Sequence, residues 1–171
     1  KISLKENDYE LFITDSWVGG SLVDNPDPYI AMYRVDSKPL DSRGGFFENS
    51  SYTGVAFNTP ADPYVNSRLR SIDEKQEFFQ RGGWIAFIQK YFMAAILTPT
   101  DREQTLSVIP PSKEGGVYVM AATSSGTKES ELRDGIEHRI FLGPKIRSDL
   151  MNRASDLELT IDMGWFWFLA Q

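Results

Sequence analysis

Short runs of β-branched, aromatic and aliphatic residues recur along this chain, and they constrain its fold more than any other feature. Each run spans about four to eight residues, the usual length of a strand. Clusters of Pro, Gly, Asp and Ser separate the runs, and such clusters mark turns. Residues 6–8, for example, form a short polar connection typical of a hairpin. The sequence predicts strands at residues 2–5, 9–14, 28–35, 52–58, 105–109, 117–122 and 137–142.

Two further stretches leave their secondary structure open. Residues 84–97 form the most apolar stretch of the chain, with two glycines before it and a Thr-Pro pair after it. Because it contains both β-branched residues and alanines, periodicity alone does not separate strand from helix. The glycines before this stretch and the Thr-Pro pair after it favour β structure, as one buried element of strand length or as two consecutive strands. Residues 72–79 are charged and fit either a short strand or a single helical turn.

One helix is well signalled after the strands. Pro144 fits the first position of a helix, where its missing N–H costs nothing. Ile146, Leu150 and Ala154 then recur every four residues and form an apolar stripe. The helix should end near Ser155. Roughly eight to ten strands before one helix predict a mainly β fold, an antiparallel β-sandwich with a small C-terminal helical addition.

Four consecutive aromatic residues lie near the end of the sequence, Trp165, Phe166, Trp167 and Phe168. Each ring gains roughly 1.5–3 kcal/mol by leaving water. Two placements would remove these rings from water. The rings belong either to a last core element or to a membrane–water interface, which suits an apolar body with a polar edge. Since the sequence stops directly after them, as if a more hydrophobic segment followed, we favour the interface.

Length and composition fit one folded domain. The 171 residues provide enough chain to bury a sizeable core. The first residue is Lys1 and not Met, so we expect a processed or excised piece. The sequence contains no apolar run of about 18 residues, so we expect no transmembrane span within it.

The charge balance excludes some classes of partner. Lys and Arg total 18 against 24 Asp and Glu, which gives a net charge of −6. This balance argues against nucleic acid, because such binding needs a basic face. It also disfavours adsorption of the whole domain onto anionic lipid headgroups. Cysteine is absent, which excludes disulfides and thiolate metal sites.

The residues that could carry catalysis do not form a recognisable site. His138 is the only histidine and lies in a predicted strand, where cross-strand packing is its more common role. One histidine with carboxylates makes a poor zinc site. Asp24, Asn25 and Asp27 could offer oxygen ligands to Ca²⁺, yet their run lacks the glycine and distal glutamate of an EF-hand. The other acidic clusters are typical of solvated loops, although a glycosidase pair of carboxylates stays open because only their separation in space decides it. We therefore expect no catalytic residue, no metal and no cofactor.

Three motifs occur in a recognisable order. They are residues 81–99 (RGGWIAFIQKYFMAAILTP), residues 141–146 (FLGPKI) and residues 157–171 (LELTIDMGWFWFLAQ). Together they resemble the large periplasmic domain of bacterial members of the YidC/Oxa/Alb family of membrane protein insertases. Residues 52–57 resemble a further strand of that domain more weakly. The resemblance covers residues 52–171, whereas residues 1–51 align only as strands of the right kind.

The resemblance implies an antiparallel β-supersandwich of the galactose mutarotase-like kind. Residues 1–143 would be the C-terminal part of the periplasmic supersandwich, and residues 144–171 a helical segment leading to the membrane interface. Trp165, Phe166, Trp167 and Phe168 would then begin an interfacial amphipathic helix, just before transmembrane helices that lie outside this sequence.

The resemblance also implies a function. It suggests a non-catalytic domain of an inner-membrane protein insertase and chaperone, on the periplasmic side of the bacterial inner membrane. Relatives assist the insertion and folding of membrane proteins, alone or with the Sec translocon. The implied partners are SecD–SecF and Sec translocon components, nascent membrane proteins, and the membrane surface through the C-terminal residues.

The alternative hypothesis is a carbohydrate-binding or mutarotase-like supersandwich protein. Mutarotase chemistry needs a glutamate base with histidine partners, and His138 alone falls short of that pattern. A lectin-like groove stays open, in which Trp17, Trp84 or Tyr118 would stack on sugar rings. A chaperone-like module that holds unfolded segments overlaps with the insertase hypothesis.

Overall fold

The computed structural model describes residues 1–17, 30–36, 54–59, 61–112, 117–124 and 129–161. These residues form eleven strands, two short α-helices and two 3₁₀ turns. The strands are β1 (Ile2–Leu4), β2 (Glu10–Asp15), β3 (Ile30–Asp36), β4 (Gly54–Phe57), β5 (Val65–Arg68), β6 (Gln76–Arg81), β7 (Trp84–Ile88), β8 (Phe92–Leu97), β9 (Glu103–Ile109), β10 (Val117–Ser124) and β11 (Ile136–Pro144). The helices are α1 (Glu129–Asp134) and α2 (Arg147–Met151), and the 3₁₀ turns are Leu69–Ser71 and Leu157–Thr160.

The strands pair into two antiparallel sheets. The larger sheet has the order β1-β2-β11-β8-β7-β4-β5, and the smaller has the order β3-β10-β9-β6. β11 lies inside the larger sheet, where His138 pairs with Ile13 of β2 and Leu142 pairs with Ala94 of β8. The predicted mainly β fold, an antiparallel supersandwich with a short C-terminal helical segment, is confirmed.

A hydrophobic core fills the space between the two sheets. Phe57 of β4 and the alternate residues Ile85 and Phe87 of β7 face this core, because successive side chains of a strand point to opposite faces. Leu106 of β9 and Met120 of β10 meet them from the smaller sheet and are fully buried. Each such burial contributes roughly 1.5–3 kcal/mol, and together they hold the sheets against each other.

The opposite face of the larger sheet packs against residues 145–161, which we call the C-terminal segment. This segment contains α2 and the second 3₁₀ turn. Its Leu150 and Leu157 are fully buried in a second hydrophobic core with Trp84 and Phe141 of the larger sheet. The fold therefore has three layers: the smaller sheet, the larger sheet and the C-terminal segment.

The apolar stretch at residues 84–97 consists of two strands, β7 and β8. At the turn between them, the backbone N–H of Gln89 donates to the carbonyl of Phe92 at 2.9 Å. All residues of β7 are buried, because the smaller sheet covers one face and the C-terminal segment the other. A strand buried on both faces has no alternation of apolar and polar residues. For this reason, periodicity alone does not distinguish strand from helix in this stretch. The charged stretch at residues 72–79 also contributes a strand, β6.

The predicted helix over residues 144–154 is wrong in its bounds. Pro144 ends β11, where it pairs with Phe92 of β8, and does not begin the helix. Sheet pairing keeps the chain extended through this proline, so α2 covers only Arg147–Met151. Ile146 precedes the helix and is 50% exposed, so it is not part of an apolar stripe.

Sequence reasoning missed α1 and β5. The sequence of α1, ESELRD, has a single apolar residue, and β5, VNSR, has one as well. Neither therefore shows the periodicity on which helix and strand predictions rest. No helix in the described part of the chain is long and apolar enough to cross a bilayer.

Candidate functional site

Specific side-chain contacts hold the C-terminal segment against the larger sheet. Besides the buried Leu150 and Leu157, polar contacts hold the segment at three places. The three places lie at β2 and β11, at β4 and β7, and at the turn between β7 and β8.

The first contact is an ion-pair cluster around Arg153, which we call the Arg153 cluster. Arg153 Nη1 lies 2.9 Å from Glu10 Oε2 of β2, and Arg153 Nη2 lies 2.6 Å from Asp8 Oδ1. The same Nη2 atom lies 2.8 Å from Asp149 Oδ1, one helical turn earlier. Arg139 of β11 donates from Nε to the other carboxylate oxygen of Glu10.

Burial makes this cluster energetically important. Glu10 is only 4% exposed, and a buried carboxylate is tolerated only when it is paired and hydrogen-bonded. The hydrogen bond from Arg153 lowers the pKa of Asp8 below its usual value. Burial alone would lower the pKa of Arg153, yet its hydrogen bonds to Asp149 and Asp8 raise it. The guanidinium also lies 4.7 Å from the ring centroid of Phe141, a cation–π contact.

The second contact joins the segment to β4 and β7. The indole N–H of Trp84 donates to the backbone carbonyl of Ser155 at 3.0 Å, so this fully buried side chain leaves no polar atom unsatisfied. Asn58, directly after β4, donates from Nδ2 to Asp156 Oδ2 at 3.4 Å and to the carbonyl of Pro63 at 3.1 Å. Asp156 has a φ of 64°, the left-handed conformation that turns the chain between α2 and the second 3₁₀ turn.

The third contact fixes both ends of the segment at the β7–β8 turn. The backbone N–H of Lys145 donates to the carbonyl of Tyr91 at 2.8 Å, and Lys145 Nζ donates to the carbonyl of Thr160 at 3.1 Å. The hydroxyl of Thr160 approaches Met93 Sδ at 3.5 Å. Thr160, one residue before the last described residue, therefore has a fixed position relative to the larger sheet.

A groove of about 270 Å³ opens beside the β7–β8 turn. It reaches from the start of β4 to β11, and apolar side chains dominate its lining. They include Leu69, Phe87, Phe92 and Leu142, and Gln89 is the one polar side chain among the described residues of the lining. This part of the lining suits an apolar group.

The residues considered for catalysis or metal binding do not form a catalytic site within the described ranges. His138 lies in β11, as predicted, and is 4% exposed. Burial lowers its pKa; to a smaller extent, the charge of Asp15 raises it and that of Arg102 lowers it further. Asp73 and Glu74 are exposed. No group of three potential metal ligands occurs among the described residues. The run from Asp24 to Asp27 lies outside them.

The residues proposed to stack on sugars have different environments. Trp84 is fully buried and Tyr118 is 8% exposed, both as part of hydrophobic cores. Only Trp17 of the three is exposed, at 46%. The structure therefore does not bring these rings together as a sugar-binding platform. The predicted interface residues, Trp165, Phe166, Trp167 and Phe168, lie outside the described residues.

Sequence reasoning missed the Arg153 cluster. Glu10 and Arg153 are 143 positions apart, and no local pattern links them. The one available signal is an acidic residue within an otherwise apolar strand pattern at residues 9–14. An inward-facing carboxylate in such a strand indicates a buried cationic partner, although not which one.

The comparisons with known proteins agree on one family. The family model for the YidC periplasmic domain matches residues 1–171. The membrane protein insertase YidC of Psychromonas ingrahamii is 31% identical over 144 residues, which cover 83% of this chain and 25% of that protein. The protein of the same name from Pseudomonas aeruginosa is 35% identical over 132 residues, which cover 71% of this chain and 21% of that protein. This chain thus spans about a quarter of the length of these curated relatives. It belongs to the family of YidC periplasmic domains.

Proposed function

We propose that this chain is a non-catalytic periplasmic domain of a bacterial inner-membrane protein insertase, which assists the insertion and folding of membrane proteins alone or with the Sec translocon. Family membership supports this proposal, since the matched relatives are named membrane protein insertases. The structural observation that carries it is the C-terminal segment, which is packed against the larger sheet and held by hydrogen bonds as far as Thr160.

The proposed organisation has two parts. Residues 1–143 act as the C-terminal part of the periplasmic supersandwich, and residues 144–171 lead to the membrane interface, with Trp165, Phe166, Trp167 and Phe168 at the lipid boundary. A segment clamped at three places transmits the orientation of the bilayer to the sandwich, whereas a flexible linker would not. The sandwich would therefore stand at a defined angle above the site of insertion.

The proposed partners are nascent membrane proteins, SecD–SecF and Sec translocon components. Two surfaces suit apolar or extended partners. One is the groove beside the β7–β8 turn. The other is β1, the outermost strand of the larger sheet among the described residues, where Ile2 is 69% and Leu4 is 67% exposed. A strand at a sheet edge offers unpaired backbone groups to an extended segment of another chain.

Insertion assays in cells depleted of their resident insertase test this proposal. The parent gene should restore insertion of a model substrate, scored by protease accessibility. Serine at Trp165, Phe166, Trp167 and Phe168 should impair insertion more than Phe79→Ser, which alters an exposed ring on the smaller sheet. Equal tolerance of the two changes would contradict the interfacial role, and a parent gene that restores no insertion would contradict the function.

A further inference from the structure

One end of the molecule combines basic side chains with exposed apolar rings. The β7–β8 turn carries Lys90 and Tyr91, followed by Phe92, and the nearby start of the C-terminal segment carries Ile146 and Arg147. Tyr91 is 65%, Phe92 57% and Ile146 50% exposed, and both basic side chains are exposed as well. We call these five residues the basic end.

Backbone contacts bring the two parts of the basic end together. Pro144 pairs with Phe92 in the larger sheet, and the next residue, Lys145, donates its backbone N–H to the carbonyl of Tyr91 at 2.8 Å. Lys90 Nζ lies 5.2 Å from the ring centroid of Tyr91, so a cation and an aromatic face are presented as a unit. The bond from Lys145 Nζ to Thr160 places the exit of the C-terminal segment at the same end.

The charge of this end opposes that of the chain as a whole. The chain has a net charge of −6, whereas the basic end contributes two cations and Lys145 lies between its two parts. Asp149, the acidic residue of α2, is paired with Arg153 at 2.8 Å. An acidic domain is repelled by an anionic surface overall, so an end that carries exposed cations is favoured to approach it.

We propose that the basic end docks onto the surface of a bilayer that contains anionic phospholipid. Lys90 and Arg147 bind the headgroups, and Tyr91, Phe92 and Ile146 enter the interfacial layer, where partly apolar rings are favoured. In the sequence, the aromatic run begins at Trp165, four residues after Ile161. The inference rests on the proposed function for the presence of a bilayer, and it adds a second lipid contact, made by the β7–β8 turn and the start of the C-terminal segment.

Flotation of the purified 171-residue chain with phosphatidylethanolamine–phosphatidylglycerol vesicles tests the role of Lys90 and Arg147. The variant K90A/R147A should bind these vesicles about tenfold more weakly, since each basic residue near an anionic surface contributes a several-fold factor. The control R81A/R133A also removes two exposed cations, from the end of β6 and from α1, and should bind as the parent chain does. Equal binding of the two variants would overturn the proposal.

A matched pair of variants tests the apolar residues of the basic end. Phe92→Ser should weaken vesicle binding several-fold, whereas Phe79→Ser, at a ring of similar exposure (62%) on the smaller sheet, should not. Circular dichroism confirms that each variant is folded. A chain with serine at both Trp165 and Trp167 should still show the difference between K90A/R147A and its control; loss of that difference would assign lipid binding to the aromatic run alone and overturn the proposal. Vesicle binding measures no insertion, so a parent protein without insertase activity would contradict the proposed function and leave this result unchanged.

Discussion

At the scale of single residues, the stability of this domain depends on how its few buried charges are neutralised. The side chains of Glu10 and Arg153 are 5% and 11% exposed, so their pairing is shielded from solvent. By contrast, Arg81 and Glu103 are 3.6 Å apart and more than half exposed. Exposed pairs contribute little to stability, whereas removal of one partner from a buried pair leaves an uncompensated charge.

The first prediction concerns Arg153. Arg153→Met keeps much of the side-chain volume but leaves Asp8 and Asp149 without their shared cation and Glu10 with Arg139 alone. We expect the free energy of unfolding to fall by about 3 kcal/mol, measured by urea denaturation at neutral pH. Arg81→Met, the exposed control, should cost less than about 0.5 kcal/mol. Similar losses for the two variants would show that the Arg153 cluster is not a buried unit.

The second prediction concerns His138 and pH. Burial lowers its pKa in the folded state, so the unfolded chain binds a proton first as the pH falls below about 6.5. The stability from neutral His138 is complete above that pH and decreases as the pH falls further. We expect His138→Gln to reduce the loss of unfolding free energy between about pH 7.5 and pH 5. Glu137→Gln, at the exposed neighbour, should leave that loss unchanged, and a steeper pH dependence in His138→Gln would contradict the assignment.

At the scale of elements, the sharpest constraint is the corner between β6 and β7, where the chain passes from the smaller to the larger sheet. Gly82 and Gly83 form this corner with φ values of 72° and 91°. Gln80 is buried beside it and donates from Nε2 to the carbonyls of Asn58 at 2.7 Å and Gly82 at 3.0 Å. The corner is therefore a packed, hydrogen-bonded turn.

The third prediction tests this corner. A Cβ at Gly83 would lie 2.3 Å from Gln80 Nε2 and 3.1 Å from the Asn58 carbonyl oxygen, so Gly83→Ala must displace a buried amide as well as strain the backbone. We expect a loss of about 2–3 kcal/mol in the free energy of unfolding. At Gly82 the nearest atom to an added Cβ is Thr100 Cγ2 at 3.0 Å, so Gly82→Ala should cost less. Thermal denaturation of both variants provides the comparison, and a larger loss at Gly82 would contradict the role of Gln80.

The elements also show how much the sequence could reveal. Turn residues and apolar runs are local signals in the sequence. They were enough to predict the hairpin β1–β2 and the strands near residues 30, 54 and 136. The start of α2 was not predictable, since Pro144 is held in the sheet by pairing with a distant strand. The Arg153 cluster was not either, because its members come from β2, β11 and the C-terminal segment.

At the scale of the whole molecule, the C-terminal segment is part of the folding unit. Leu157, buried in the second core, and Leu159, 42% exposed, lie in the same 3₁₀ turn and offer a matched pair. Leu157→Ala should lower the free energy of unfolding of the entire domain by about 3 kcal/mol in a single transition. Leu159→Ala should change it by less than about 0.5 kcal/mol.

Hydrogen exchange gives the decisive readout for this last prediction. If the segment and the sheets unfold together, Leu157→Ala accelerates exchange at the protected amides of β7 and β8 as much as at those of residues 157–161. Faster exchange confined to the segment, with the sheets unchanged, would mean that it is an appended strap. In that case the segment could not give the sandwich the defined orientation that is proposed for it, and that part of the proposal would be contradicted.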